Sequence, residues 1–215
     1  MVRNVNGLTR GVFLLGLLTA SLIGLPSHVS AGSDGLPDDR LGRRTAPLLL
    51  LSRDDVRQDL GLTQPQGTEV DKAIIEFYSR AWELKGKKGP AADAERKKID
   101  QEQVTWINTH LTAKQRARLI QVDLWWEGPS ALVSRPLVGE NVGLSVDQRS
   151  ALIAAVKTRD ADRGQKSFSM AAEDALWSAT KKTLSPAQIE RYEAMLGQRF
   201  RPRIAMPVDM SKVKR

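Results

Sequence analysis

From Val70 onward, apolar residues recur at spacings of three and four: Val70, Ala73, Ile74, Phe77, Tyr78, Ala81 and Leu84. That period places them on one stripe of a helix and predicts an amphipathic helix through Leu84. Lys85-Gly86-Lys87-Lys88-Gly89-Pro90 breaks it, because two glycines and a proline oppose helix and three lysines prefer water. A charge-rich return helix is predicted from about Ala92, with Ile99, Gln103, Trp106 and Ile107 on one side, so the two form antiparallel arms. Leu119, Ile120, Leu124, Trp125 and Trp126 define a third helix that runs to Glu127-Gly128-Pro129. Adjacent helical residues point about 100° apart, so the two indoles do not share one buried direction. One of them either lies under a neighbouring element or dimer partner, or is exposed to bind other chains. Farther on, Leu152, Ile153 and Val156 open a long helix, and Phe168, Ala171, Ala175, Leu176 and Ala179 continue the pattern after a polar stretch around Gly164. That stretch is far less glycine-rich than 85–90, and one continuous helix through it is the preferred reading over a bend. Ile189, Tyr192, Met195 and Leu196 form a last stripe that ends at Gly197. No segment alternates with period two, so the predicted class is all-α, built of elongated helical hairpins.

The helix starts share a signature. Leu62-Thr63-Gln64-Pro65-Gln66, Leu111-Thr112-Ala113-Lys114-Gln115, Leu144-Ser145-Val146-Asp147-Gln148 and Leu184-Ser185-Pro186-Ala187-Gln188 all read Leu-[Ser/Thr]-x-x-Gln. At this composition chance supplies about 0.2 such matches. A hydroxyl at the N-cap accepts from the N3 backbone N–H, and Gln at N3 reaches back to the N-cap N–H, so each copy predicts a capping box. Capping alone is a folding signal and carries no chemistry. A second regularity appears on shifting the chain by 82 residues, which lays Pro47 on Pro129, Arg53 on Arg135, Gly61 on Gly143, Leu62 on Leu144 and Gln66 on Gln148. This predicts two related helical units, 47–128 and 129–198, each with a short helix, a glycine elbow at Gly61 or Gly143, and a long helix.

On these four pentapeptides the chain resembles the LTxxQ-motif family of Spy/CpxP-like envelope proteins, over roughly 47–198. The resemblance implies a small helical periplasmic chaperone or stress regulator. It implies no cofactor and no enzymatic activity. Four copies stand where two are usual, and the 32–46 segment is long for the family.

Composition and charge refine this picture. Arg3 and Arg10 precede an uncharged apolar run, Gly11 to Leu25, and Val29-Ser30-Ala31 follows. That order predicts a cleavable signal peptide, residues 1–31, and hence a periplasmic location. Fifteen apolar residues are too few to span a bilayer comfortably. Residues 32–46 read as a flexible linker and 199–215 as a basic disordered tail. The net charge of +8 becomes +6 without the leader, whose two arginines are its only charges. A basic surface favours acidic partners; unfolded or envelope proteins are the expected ones, nucleic acid is not, and a homodimer stays open. Charged residues make up 27% and aromatics 5%, which suits elongated helices with a modest core.

The chain has no cysteine, which excludes disulfides, thiolate zinc sites and cysteine nucleophiles. After the leader His110 is the single histidine; it reads as a helix C-terminal residue meeting the dipole. The acidic pairs Asp38-Asp39, Asp54-Asp55 and Glu173-Asp174 are sequence neighbours and form no convincing acid/base couple. No glycine-rich phosphate loop or nucleophile elbow is present. The expected activity is therefore binding. Candidate client-binding residues are Lys85, Lys87, Lys88, Arg96, Lys97 and Lys98 for charge, with Trp82 and Trp125 for apolar contact.

Overall fold

The computed structural model describes residues 42, 44–163, 169–202, with the side chain of Arg163 outside that set. Residues 1–41, 43, 164–168 and 203–215 lie outside the described residues, and with them the expected signal peptide, most of the expected linker and tail, and the polar stretch around Gly164. Every regular element among the described residues is helical. In the first half these are α1 (Pro47–Leu50), α2 (Asp54–Leu60), α3 (Gln64–Glu83), α4 (Pro90–His110) and α5 (Ala113–Glu127). A 3₁₀ turn, Gly128–Ser130, leads into α6 (Ala131–Ser134), α7 (Pro136–Val142), α8 (Val146–Arg163), α9 (Met170–Thr183) and α10 (Pro186–Leu196).

The order of elements is the same in both halves. Short helices precede an elbow, two long helices form an arm, and a base helix closes the unit. α3 packs on α4 and α8 on α9, while α5 packs on α1 and α2 as α10 packs on α7. The elbows are built alike. Gly61 (φ 62°) and Gly143 (φ 77°) adopt the left-handed conformation that a side chain would strain. Leu62 N then donates to Arg57 O and Gly61 N to Gln58 O, and Leu144 and Gly143 repeat these bonds to Gly139 and Glu140. Two otherwise orphaned helix-end carbonyls are satisfied each time, and the next residue, Thr63 or Ser145, starts the following helix.

Two apolar cores result. In the first, Val70, Ala73 and Phe77 of α3 and Ile99 of α4 meet Leu50, Leu51, Val56, Leu119, Val122 and Trp126. The second gathers Leu132, Val138, Val142, Leu152, Leu184, Tyr192 and Leu196. Trp125 packs against both cores, and α10 packs on α5. The described helices accordingly form one compact unit rather than two separate domains.

Four expectations are corrected. α8 and α9 are separate helices packed against each other, with Ser169 capping α9 through its bond from Ala172 N, so the arm is not one continuous helix. Packing of two apolar faces outweighs the weak turn signal. At the end of the supposed linker, Gly42 is buried: its N–H donates to Trp126 O, 2.7 Å, and its carbonyl accepts from Arg159, 2.6 Å. Arg159 also reaches Glu173 and Ser130. In the supposed disordered tail, Phe200 is buried in the first core, and just before the tail Gln198 O accepts from Arg118. Trp125, offered as a client contact, is covered by both cores and by Trp177, whose ring centroid lies 6.1 Å away.

Candidate protein-binding surface

The pentapeptides position the arms, and they do so in pairs. Each is a capping box: Thr63 N donates to Gln66 Oε1, 3.0 Å, and Gln66 N to Thr63 Oγ1, and the same reciprocal bonds join Thr112 with Gln115, Ser145 with Gln148 and Ser185 with Gln188. Within each unit the two glutamines then meet. Gln66 and Gln115 exchange amide bonds of 3.0 and 3.1 Å, and Gln148 and Gln188 exchange two of 2.8 Å. Each Nε2 also donates to the carbonyl just before the partner's leucine: Gln66 to His110, Gln115 to Gly61, Gln148 to Thr183 and Gln188 to Gly143. Every carboxamide thus uses two donors and two acceptor sites. It satisfies an orphan N–H at its own helix start and an orphan carbonyl at its partner's preceding helix end. The clasps fix the base of each arm, so any difference between the arms must appear at their far ends.

The far end of the first arm is basic and aromatic. α3 stops at Glu83, Lys87 N donates to Leu84 O, and α4 restarts with Pro90 at N1. Arg96 is half-buried and donates to the carbonyls of Leu84 and Lys87 while pairing with Asp93. It therefore braces the turn. Lys85, Lys87, Lys88, Lys97 and Lys98 are exposed. Trp82 is 51% exposed; Tyr78 stacks on it at 6.1 Å and the Lys85 ammonium sits 4.2 Å over its ring, a favourable cation–π arrangement.

The two flanks of this arm differ. On one, Arg80 of α3 bonds Glu95 and Glu102 of α4, and its hydrogen bond holds the Glu95 carboxyl below the usual range. Tyr78 and Trp82 lie about 160–200° around α3 from Arg80, as Val104 does around α4 from Glu102. They share the opposite flank with Ile75. Ile75 and Val104 are 45% and 44% exposed, which makes this the flank where apolar side chains and exposed lysines adjoin. Sequence reasoning placed Tyr78 in the core stripe; its stacking on Trp82 is the signal that an i, i+4 aromatic pair on the edge of that stripe could have supplied.

His110 ends α4, with its ring stacked on Trp106 at 4.3 Å and Nδ1 2.9 Å from Trp106 O. A cleft of about 360 Å³ lies beside it, between Pro65, Glu69, Trp106 and Leu111. Sequence reasoning missed a buried charge cluster at the junction of the halves. Arg135 reaches Asp123, 2.7 Å, and Glu127, which also accepts from Ser134. Burial pushes the Asp123 carboxyl above its ordinary range against the pull of Arg135. It likewise raises the Tyr192 phenol, whose hydroxyl donates to Gly128 O, 2.7 Å. These groups tie α5 to α6, α7 and α10. Among the described residues no group of three or more His, Asp or Glu could hold a metal ion, and no helix is long and apolar enough to cross a membrane.

Comparison with protein-family models, with curated proteins and with solved structures finds no match. The class defined by the fold is a duplicated, clasped pair of helical arms, one of which ends in a basic aromatic tip.

Proposed function

We propose that this chain is exported to the periplasm and acts there as an ATP-independent, chaperone-like protein that holds unfolded or stress-exposed envelope proteins on its first arm. The observation that carries the reading is the half-exposed Trp82, stacked on Tyr78 with the Lys85 ammonium over its ring, at an arm end that also carries exposed Lys87, Lys88, Lys97 and Lys98. Lys85, Lys87, Lys88, Lys97 and Lys98 attract acidic segments over a distance set by ionic strength. Trp82, Tyr78, Ile75 and Val104 then hold an apolar stretch weakly, and the client leaves when burial in its own core outcompetes those contacts.

The test is suppression of aggregation of several chemically unrelated unfolded proteins by the purified chain. Protection of all of them, without nucleotide, is the expected result. Protection of none, with tight binding to a single folded envelope protein or an acidic wall polymer, would instead identify a regulatory or structural partner.

A further inference from the structure

The two arms are built on the same clasp but not to the same length. Gln66 and Gln115 are 49 residues apart, Gln148 and Gln188 only 40. The helices account for the whole difference: α3 and α4 have 20 and 21 residues, α8 and α9 have 18 and 14. Nine extra residues shared between two antiparallel helices carry the first tip outward by about 7 Å at 1.5 Å per residue. The second arm shows that this fold closes without that length.

The extra length presents a specific chemistry. Residues 82–98 hold six basic and three acidic side chains. The turn is preorganised, since Arg96 donates to the Leu84 and Lys87 carbonyls; Leu84 O also accepts from Lys87 N and has no acceptor site left for an added peptide strand. Space of about 450 Å³ opens at the very end, floored by Leu84, Ala91 and Ala92 and rimmed by Lys87 and Lys88. Ala91 is itself exposed and brings no charge. An apolar floor under ammonium groups, with an indole beside it, matches the boundary between acyl chains and phosphates, where Trp and Lys both partition favourably.

We infer that the tip formed by Trp82, Lys85, Lys87 and Lys88 docks peripherally on an anionic phospholipid surface. The lysines meet headgroup phosphates, and Leu84, Ala91 and Trp82 rest at the acyl boundary. A projecting arm end that carries apolar surface, an indole and ammonium groups suits a plane of headgroups. Docking uses the same Trp82 and lysines as client capture, so lipid and client compete for the tip; vesicle binding measured without client and client capture measured without lipid tell the two apart.

The experiment is co-sedimentation of the exported chain, its N-terminus established by intact mass, with vesicles of pure phosphatidylcholine or with about one third phosphatidylglycerol. At low salt the chain partitions to the anionic vesicles and not to the neutral ones. K85S/K87S/K88S, with helicity unchanged by circular dichroism, weakens that partition by on the order of 100-fold. W82A weakens it while leaving its salt dependence in place. Equal binding by wild type and the triple variant, equal binding to both vesicle types, or no partition at all overturns the inference. Loss of capture of an acidic unfolded protein in the triple variant, with no vesicle binding by wild type, makes the tip a protein site instead.

Discussion

Gln66 and Gln115, 49 residues apart in the chain, lie amide to amide and exchange two hydrogen bonds of 3.0 and 3.1 Å. Their counterparts Gln148 and Gln188 do the same 40 residues apart. The motif glutamine is thus both a local cap and a long-range clasp, which explains why Gln stands at N3 in all four copies. Glu would cap equally well, but a carboxylate offers no N–H to the facing carbonyl.

Losing a clasp partner should therefore cost more than losing a cap. Gln115→Ala strips bonds from Gly61 O, Thr112 N–H and Gln66 at a buried position, and an expected destabilisation of about 2–3 kcal/mol follows. Ser145→Ala and Ser185→Ala should each cost about 1 kcal/mol. Urea unfolding checks both, and Gln66→Ala/Gln115→Ala should fall short of the sum of its singles by about 1 kcal/mol. Strict additivity would remove the clasp.

Local features were legible in the sequence and distant ones were not. The α3 stripe, the break at 85–90, the glycine elbows at Gly61 and Gly143 and the capping boxes all depend on residues within one or two turns. The 82-residue shift correctly aligned α2 and α3 with α7 and α8. The glutamine pairing was hidden because its partners are brought together only by arm closure. Gly42 and Phe200 were misjudged for a related reason: flanks rich in Gly, Pro and charge conceal single residues that a finished surface captures. The polar stretch around Gly164 carried too weak a local breaking signal to reveal that α8 and α9 are separate helices packed on each other. Of the candidate site residues, the lysines and Trp82 are exposed, whereas Arg96 braces the turn and Trp125 is partly buried against both cores, since exposure cannot be read from residue type.

The buried Asp123 gives a pH dependence of definite sign. Because its folded carboxyl titrates above the ordinary aspartate range, the stability it contributes is fully present below that range and is lost as pH rises through the raised value. The stability of wild type relative to Asp123→Asn should fall across this window with increasing pH, as measured by urea midpoints at several pH values. A relative stability that instead rises with pH contradicts a carboxyl dominated by burial.

The central functional claim is capture at the tip of the first arm, and salt tests it most directly. At about 0.15 M ionic strength exposed charges are screened beyond roughly 8 Å, and toward 1 M beyond roughly 3 Å. Suppression of aggregation of an acidic unfolded protein is measured without lipid for wild type and K85S/K87S/K88S at low and high salt. Wild type should protect well at low salt and lose much of that advantage at high salt, while the triple variant protects weakly at both, retaining the apolar component from Trp82, Tyr78 and Ile75. Equal protection by the two proteins at both salt concentrations would contradict the account and leave the tip as a solvated turn.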